Sequence, residues 1–286
     1  MAKCDLGKTI IDELRICYTA DPTLIQDLSN VDFGKWIYFC DFALLRVVSK
    51  QFKYGFEVFL SDECGNREKV ATLRFGHHNE QEQSTYMFFR IENYVLYNKE
   101  KLHLTLTLPD TLGMLFKHFT SIDLSRDFKF NVCQRIRKIA RDKKIKVIIN
   151  GKVIDKRKDI KEGRIEYSLN FTKLSNPTIY VKQAKAVKDK SKGLSLCSYN
   201  KNREIETSSN KDYIKEFYGN PKTLHRLEVH QNNDEIRDYC KSKNITQNIN
   251  LMFNQEFLND MYDTHLSSLL RFTSGRTKLN WHEILQ

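Results

Sequence analysis

The stretch Ile145-Lys146-Val147-Ile148-Ile149-Asn150-Gly151-Lys152-Val153-Ile154 decides how the chain is built. Two short runs of β-branched residues flank Asn-Gly, the dipeptide favoured in tight primed turns, so the runs should fold back on each other as an antiparallel hairpin. Strand-like segments recur on both sides. Downstream they are Arg164–Phe171, Thr178–Gln183, Leu194–Asn200 and Leu224–Gln231. Upstream, from Trp36 to about Tyr97, aromatic and β-branched bursts alternate with turn chemistry such as Asp62-Glu63-Cys64-Gly65-Asn66. Helical spacing marks residues 6–30, with Pro22 in a first turn, and 110–119 behind a capping Asp110; it marks 132–144, 212–218, 234–242 and 247–272 as well. Strands and helices do not alternate strictly, which predicts an α+β fold, a largely antiparallel sheet with helices packed on it. Three segments are expected: an N-terminal α+β half at 1–110, a motif-bearing half at 111–232 and a C-terminal helical segment at 233–286.

With 286 residues, 40% hydrophobic and 29% charged, the chain has ample material for a folded core. It contains no run near the roughly 18 apolar residues of a spanning helix, and its amino terminus lacks the pattern of an export signal. A cytoplasmic protein with no membrane partner is the expectation. Seven cysteines without a C-x-x-C pair predict reduced thiols.

The net charge of +11 points to a polyanionic partner, and nucleic acid is the better match. Residues 129–164 hold fourteen Lys/Arg and four Asp/Glu, a balance of +10. The helix expected there carries one apolar stripe, Val132, Ile136 and Ile139/Ala140, and is basic elsewhere. Arg135, Arg137, Lys138, Arg141, Lys143, Lys144 and Lys152 are therefore the expected DNA contacts, against a merely solvated basic surface.

No P-loop, G-x-G-x-x-G or G-x-S-x-G is present, which speaks against nucleotide-driven work. Polar residues instead sit at even spacing in strand-like segments. On a strand Ser121, Asp123, Ser125 and Asp127 share one face and Ile122 and Leu124 the other. The two carboxylates are then roughly 13 Å apart, so at most one would ligate a given ion unless a bulge intervenes. Arg226, Glu228 and His230 share a face in the same way. Glu228 could join Asp123 at an ion; equally, Arg226 could form a cross-strand ion pair with a neighbouring acid. Tyr199 and Lys201 are co-facial if their strand persists, and a cation beside a phenol favours phenolate. His77 and His78 read as loop residues.

Three stretches in order resemble the trans-acting Rep family of rolling-circle plasmid initiators and related conjugative relaxases. Ile122-Asp123-Leu124-Ser125-Arg126-Asp127 is similar to its acidic strand. Thr178-Ile179-Tyr180-Val181 with Cys197-Ser198-Tyr199-Asn200-Lys201 and Glu204 is similar to its strand pair ending in Tyr-[Asp/Asn]-Lys-x-x-Glu, and His225-Arg226-Leu227-Glu228 to its Arg-Leu-Glu strand. Ser121 and Lys182 depart from the family pattern. The resemblance implies a Rep/relaxase-like nicking endonuclease architecture and the cleavage and rejoining of one origin strand through a 5′-phosphotyrosine. It assigns Tyr199, Lys201 and Arg226 to catalysis and Asp123, Asp127 and Glu228 to a Mg²⁺ or Mn²⁺ ion. Its implied partners are origin DNA, duplex near a single-stranded nick site, together with a host helicase and polymerase; a homodimer is compatible with it. Tyr213 and Tyr218 stay open as alternative nucleophiles, and a DNA-binding protein without catalysis stays open as an alternative function.

Overall fold

A computed structural model of the chain describes residues 7–62, 65–78, 85–154, 178–183 and 193–285. It is α+β with a large antiparallel sheet and helices. None of the described helices is long and apolar enough to cross a membrane. The chain divides into two compact units, Asp12–Ile122 with Thr246–Ile249, and Met1–Ile11 with Asp123–Ile245 and Asn250–Gln286. The division falls inside a strand rather than near residue 110, and the C-terminal residues from Asn250 belong to the motif-bearing unit.

The unit of Asp12–Ile122 takes in most of β1 (Ile10–Thr19), in a stretch whose spacing predicts a helix. Ile16, Cys17 and Tyr18 are all buried, and burial of successive residues erases the alternation that would have marked a strand. Among the described residues of 6–30, helix is confined to α1 (Pro22–Ser29), where Asp21 caps the Thr23 amide at 2.9 Å and Pro22 fills the first turn. Strands β2 (Trp36–Phe39), β3 (Phe42–Val47), β4 (Phe52–Ser61), β5 (Arg67–His77) and β6 (Tyr86–Ile91) follow as expected. They lie in the order β1-β6-β5-β4-β3-β2, each neighbouring pair antiparallel. Leu44, Phe56, Val58, Leu73 and Phe89 fill the core. His77 ends β5 with its ring 4.3 Å from that of Phe52, so it is a strand residue and not a loop one.

Helices α2 (Lys99–Thr105) and α3 (Thr107–Thr111) lead into β7 (Leu115–Phe128). The helix expected at 110–119 stops at Thr111. Gly113, at φ +65°, makes the turn, and Leu115–Phe128 then runs as one strand whose Phe116 ring meets Tyr18 edge-on. A long-range pairing has outcompeted a weak local helical pattern.

In the second unit, α4 (Val132–Arg141) has Asn131 as its cap and the expected apolar stripe buried at Val132, Ile136 and Ala140. The hairpin forms as read: β8 (Ile145–Ile149) and β9 (Lys152–Val153) pair with Ile149 opposite Lys152, and Asn150 and Gly151 take φ of 49° and 78°. The candidate strand Arg164–Phe171 lies outside the described residues. Next come β10 (Ile179–Lys182), β11 (Ser195–Asn200), α5 (Lys201–Glu204), a π turn at Ile205–Ser209, α6 (Asp212–Phe217) and β12 (His225–Asn232). The chain closes with α7 (Asn233–Ser242), α8 (Gln255–Leu269), β13 (Leu270–Ser274), β14 (Thr277–Lys278) and α9 (Trp281–Leu285). The helix expected over 247–272 ends at Leu269 because Leu270 and Phe272 are drawn into pairing with β8.

Two strand groups result, β10-β11-β12-β7 and β14-β13-β8-β9. In the first group Leu124, Val181, Leu196, Leu227 and Val229 are buried on one face. Helices α4 and α8 cover that face: the Cys133 thiol meets the Ser198 carbonyl at 3.2 Å, and the Tyr262 hydroxyl donates to the Leu227 carbonyl at 3.0 Å. The opposite, polar face carries the candidate chemistry.

Candidate active site

Antiparallel register brings the polar face together. Tyr199 lies opposite Arg226, Cys197 opposite Glu228 and Ser195 opposite His230, while Tyr180 lies opposite Cys197 on the other side. Period-two alternation then puts Tyr180, Cys197, Tyr199, Arg226, Glu228 and His230 on one side of the sheet. On the neighbouring strand β7, Asp127 meets Arg226 and Asp123 meets His230, which leaves Glu228 level with Ser125 between them.

The deepest layer is an ion pair. Arg226 and Asp127 are both 0% exposed, with Nε to Oδ1 at 2.8 Å and Nη2 to Oδ2 at 2.6 Å, a bidentate match of guanidinium and carboxylate. Asp127 thus has both oxygens committed to the Arg226 guanidinium. The competing reading of Arg226 as a cross-strand partner is the one the geometry realises. Its guanidinium Nη1 is 4.0 Å from Glu228 Oε2, so Arg226 braces the site from below and is a positioning residue. One step outward, Nδ1 of His230 is hydrogen-bonded to Asp123 Oδ1.

At the outer end of the same face the Tyr199 hydroxyl donates to Glu228 Oε2 at 3.3 Å. Glu228 Oε2 thus lies between the Tyr199 hydroxyl and the Arg226 guanidinium, within hydrogen-bond reach of the phenolic proton. Tyr199 also borders an open cavity of about 300 Å³ whose wall includes Tyr180, Arg203 and Glu204. Strand β11 passes directly into α5, whose cap is Asn200, its side chain accepting from the Arg203 amide at 3.1 Å. That switch from strand to helix sets the position of Lys201. Its ammonium lies 5.6 Å from the centroid of the Tyr199 ring and 2.8 Å from Glu204 Oε2, with the side chain only 2% exposed. The cation therefore lies against the Tyr199 ring and is shared with Glu204.

Cys197 and Tyr180 complete the face. Burial, reinforced by the Glu228 charge, pushes the Cys197 thiol well above its usual range. Tyr180 is raised to about 12, first by Cys197 beside it and then by burial. Tyr218, an alternative to Tyr199, is buried with its ring edge-on to Phe217. Tyr213 is on α6, which ends just before Tyr218, and neither lines the cavity.

Among the described residues no three His, Cys, Asp or Glu side chains are grouped to hold a metal ion. Asp123 is engaged with His230, Glu228 with Tyr199 and Asp127 with Arg226, so the donors expected for Mg²⁺ or Mn²⁺ point to different partners.

On the basic helix and hairpin, Lys138, Arg141, Lys143, Lys144 and Lys152 are exposed as a phosphate contact requires. Arg135 is half-buried with its guanidinium 5.0 Å from the Phe130 ring. Arg137 is only 6% exposed and belongs to the helix's packed side, which removes it from that surface. Residue spacing within single segments does not point to Cys197, Tyr180 or Arg203 at this face and cavity. The alternation of β10 against β11 carried a signal for the first two, while Arg203 follows only from where β11 ends. Models of known protein families do not match the chain, and no characterised protein is significantly similar to it in sequence.

Proposed function

We propose that the protein nicks and rejoins one DNA strand as the replication initiator of a rolling-circle plasmid, through a covalent 5′-phosphotyrosine on Tyr199. The observation that carries this reading is the Tyr199 hydroxyl donating to Glu228 at the edge of an open cavity. In the forward step Glu228 accepts the phenolic proton as Tyr199 Oη forms a bond to the scissile phosphorus. The bond from phosphorus to the 3′ oxygen breaks, and the proton passes from Glu228 to that oxygen, giving a 3′ hydroxyl. One phosphodiester is exchanged for another, so the step is near balance, reverses on rejoining and needs no nucleotide. Asp127 and Arg226 hold Glu228 in place. No step is routed through a divalent ion, because the expected donors are engaged with separate partners. Lys138, Arg141, Lys143, Lys144 and Lys152 would grip duplex near a single-stranded nick site. A relaxase of a mobilisable element would use the same chemistry on different DNA.

A DNA-binding protein without catalysis is the second reading, and the fully buried pair Asp127 and Arg226 favours it, since such a pair also suits a purely structural face. Purified protein is incubated with supercoiled plasmid carrying the DNA that flanks its own gene, with Mg²⁺ or Mn²⁺. Open circles from wild type, Tyr213→Phe and Tyr218→Phe but not from Tyr199→Phe or Glu228→Gln support the nicking reading. Equal nicking by Tyr199→Phe overturns the site, and no nicking by any form favours the second reading.

A further inference from the structure

The strand group β14-β13-β8-β9 has two unlike faces. Val147, Ile149, Leu270 and Phe272 point inward and are each 2% exposed or less. The register places Lys146 opposite Thr273, Thr273 opposite Lys278, and Arg271 opposite Ile148. Lys146, Arg271 and Lys278 therefore share the outer face, on three adjacent strands. None of the three forms an ion pair with a described residue, and the Arg271 Nε is buried with no hydrogen-bond partner among them. Beside this face opens a cavity of about 670 Å³ bordered by Arg271, Lys278, Ser267, Ser268 and Asp263. The only acid in that group, Asp263, already has both oxygens on Arg126, at 2.8 and 2.9 Å. The Ser268 hydroxyl donates to the His265 carbonyl at 2.8 Å, which leaves two cations and the Ser267 hydroxyl, with Thr264 and Asn280 beside them, around open space. Phosphate suits this set, because a guanidinium fork, an ammonium and a hydroxyl donor match its oxygens, and the strands themselves carry no acid on this face.

We propose that the outer face of β8, β13 and β14 and its adjoining cavity form a binding site for nucleic-acid backbone phosphates, with Arg271 in the cavity and Lys146 and Lys278 along the sheet. The site lies apart from Tyr199 and does not depend on nicking. It extends the basic region around the Asn150-Gly151 hairpin onto residues more than a hundred positions away in sequence, which charge clustering along the chain could not reveal. Neighbouring strands are about 4.8 Å apart, so Lys146 and Lys278, flanking β13, span roughly 10 Å.

The test is fluorescence anisotropy of the full chain with a labelled 20-base-pair duplex from 50 to 300 mM salt, comparing wild type with the triple variant Lys146→Gln, Arg271→Gln, Lys278→Gln. Each lost phosphate contact flattens the slope of log affinity against log salt by about 0.9, so the triple variant should lose roughly 2 to 3 from the slope and bind at least tenfold more weakly at 100 mM. The double variant Lys146→Gln, Lys278→Gln alters exposed side chains only, and keeps the test valid if Arg271→Gln disturbs folding; its slope should fall by about 2. An unchanged slope and affinity in the double variant overturns the proposal, whatever the outcome at Tyr199.

Discussion

Replacing Asp127 by Ala should be the most damaging single change on the polar face. The carboxylate is 0% exposed and receives two hydrogen bonds, at 2.8 and 2.6 Å, from a guanidinium that is also 0% exposed. Removing it leaves a permanent positive charge in the interior, and Arg226 cannot shed its proton to escape the cost. Breaking a buried pair from one side costs about 3–5 kcal/mol, which for a chain of this size corresponds to a fall in Tm of about 6–20 °C. The measure is urea unfolding followed by far-ultraviolet circular dichroism, comparing Asp127→Ala, Asp127→Asn and the double variant Asp127→Leu, Arg226→Met. Asp127→Ala should be the worst. The double variant should recover most of the loss, since apolar replacement of both partners removes the desolvation cost together with the attraction. A loss below about 1 kcal/mol in Asp127→Ala, or a double variant as unstable as the single, would refute the claim that this pair braces the site.

Burial holds the His265 imidazole down to about 4, with its Nδ1 2.6 Å from Gln231 Oε1. The folded state binds this proton less readily than the unfolded one, so its contribution is complete above pH 6.5 and is lost as pH falls from 6.5 toward 4, by roughly 3 kcal/mol. Unfolding free energies measured across that window should drop less steeply in His265→Gln; parallel pH profiles would contradict it. At the hairpin tip Gly151, at φ +78°, cannot take a side chain without strain, so Gly151→Ala should cost about 1–2 kcal/mol by denaturant titration. A neutral result there would mean that the turn rearranges.

The parts of this structure that could be read in the sequence are those whose signal is local. Asn150-Gly151 fixes its turn by backbone preference alone, and the alternation of Arg226, Glu228 and His230 fixes their common face. Partners are a different matter. Spacing places Asp123 and Asp127 on one side of β7 without saying that His230 and Arg226 would occupy them, because that depends on how β12 is offset against β7. Tyr199 and Lys201 read as co-facial on the premise that β11 continues, and the strand gives way to α5 at Lys201. Residues 10–19 imitate a helix because burial in the middle of a sheet removes the polar alternation. Leu270 and Phe272 join a strand only because β8, more than a hundred residues earlier, offers them an edge.

The most direct test of the central claim is to trap the protein on DNA and identify the modified residue. Protein is incubated with a single-stranded oligonucleotide spanning any cleavage position mapped on the DNA that flanks its own gene, digested with protease and nuclease, and analysed by tandem mass spectrometry. The account predicts a nucleotide joined through its 5′ phosphate to the peptide containing Tyr199, and no adduct with Glu228→Gln. An adduct on Tyr180, Tyr213 or Tyr218, or nicking that leaves no protein attached, would contradict it.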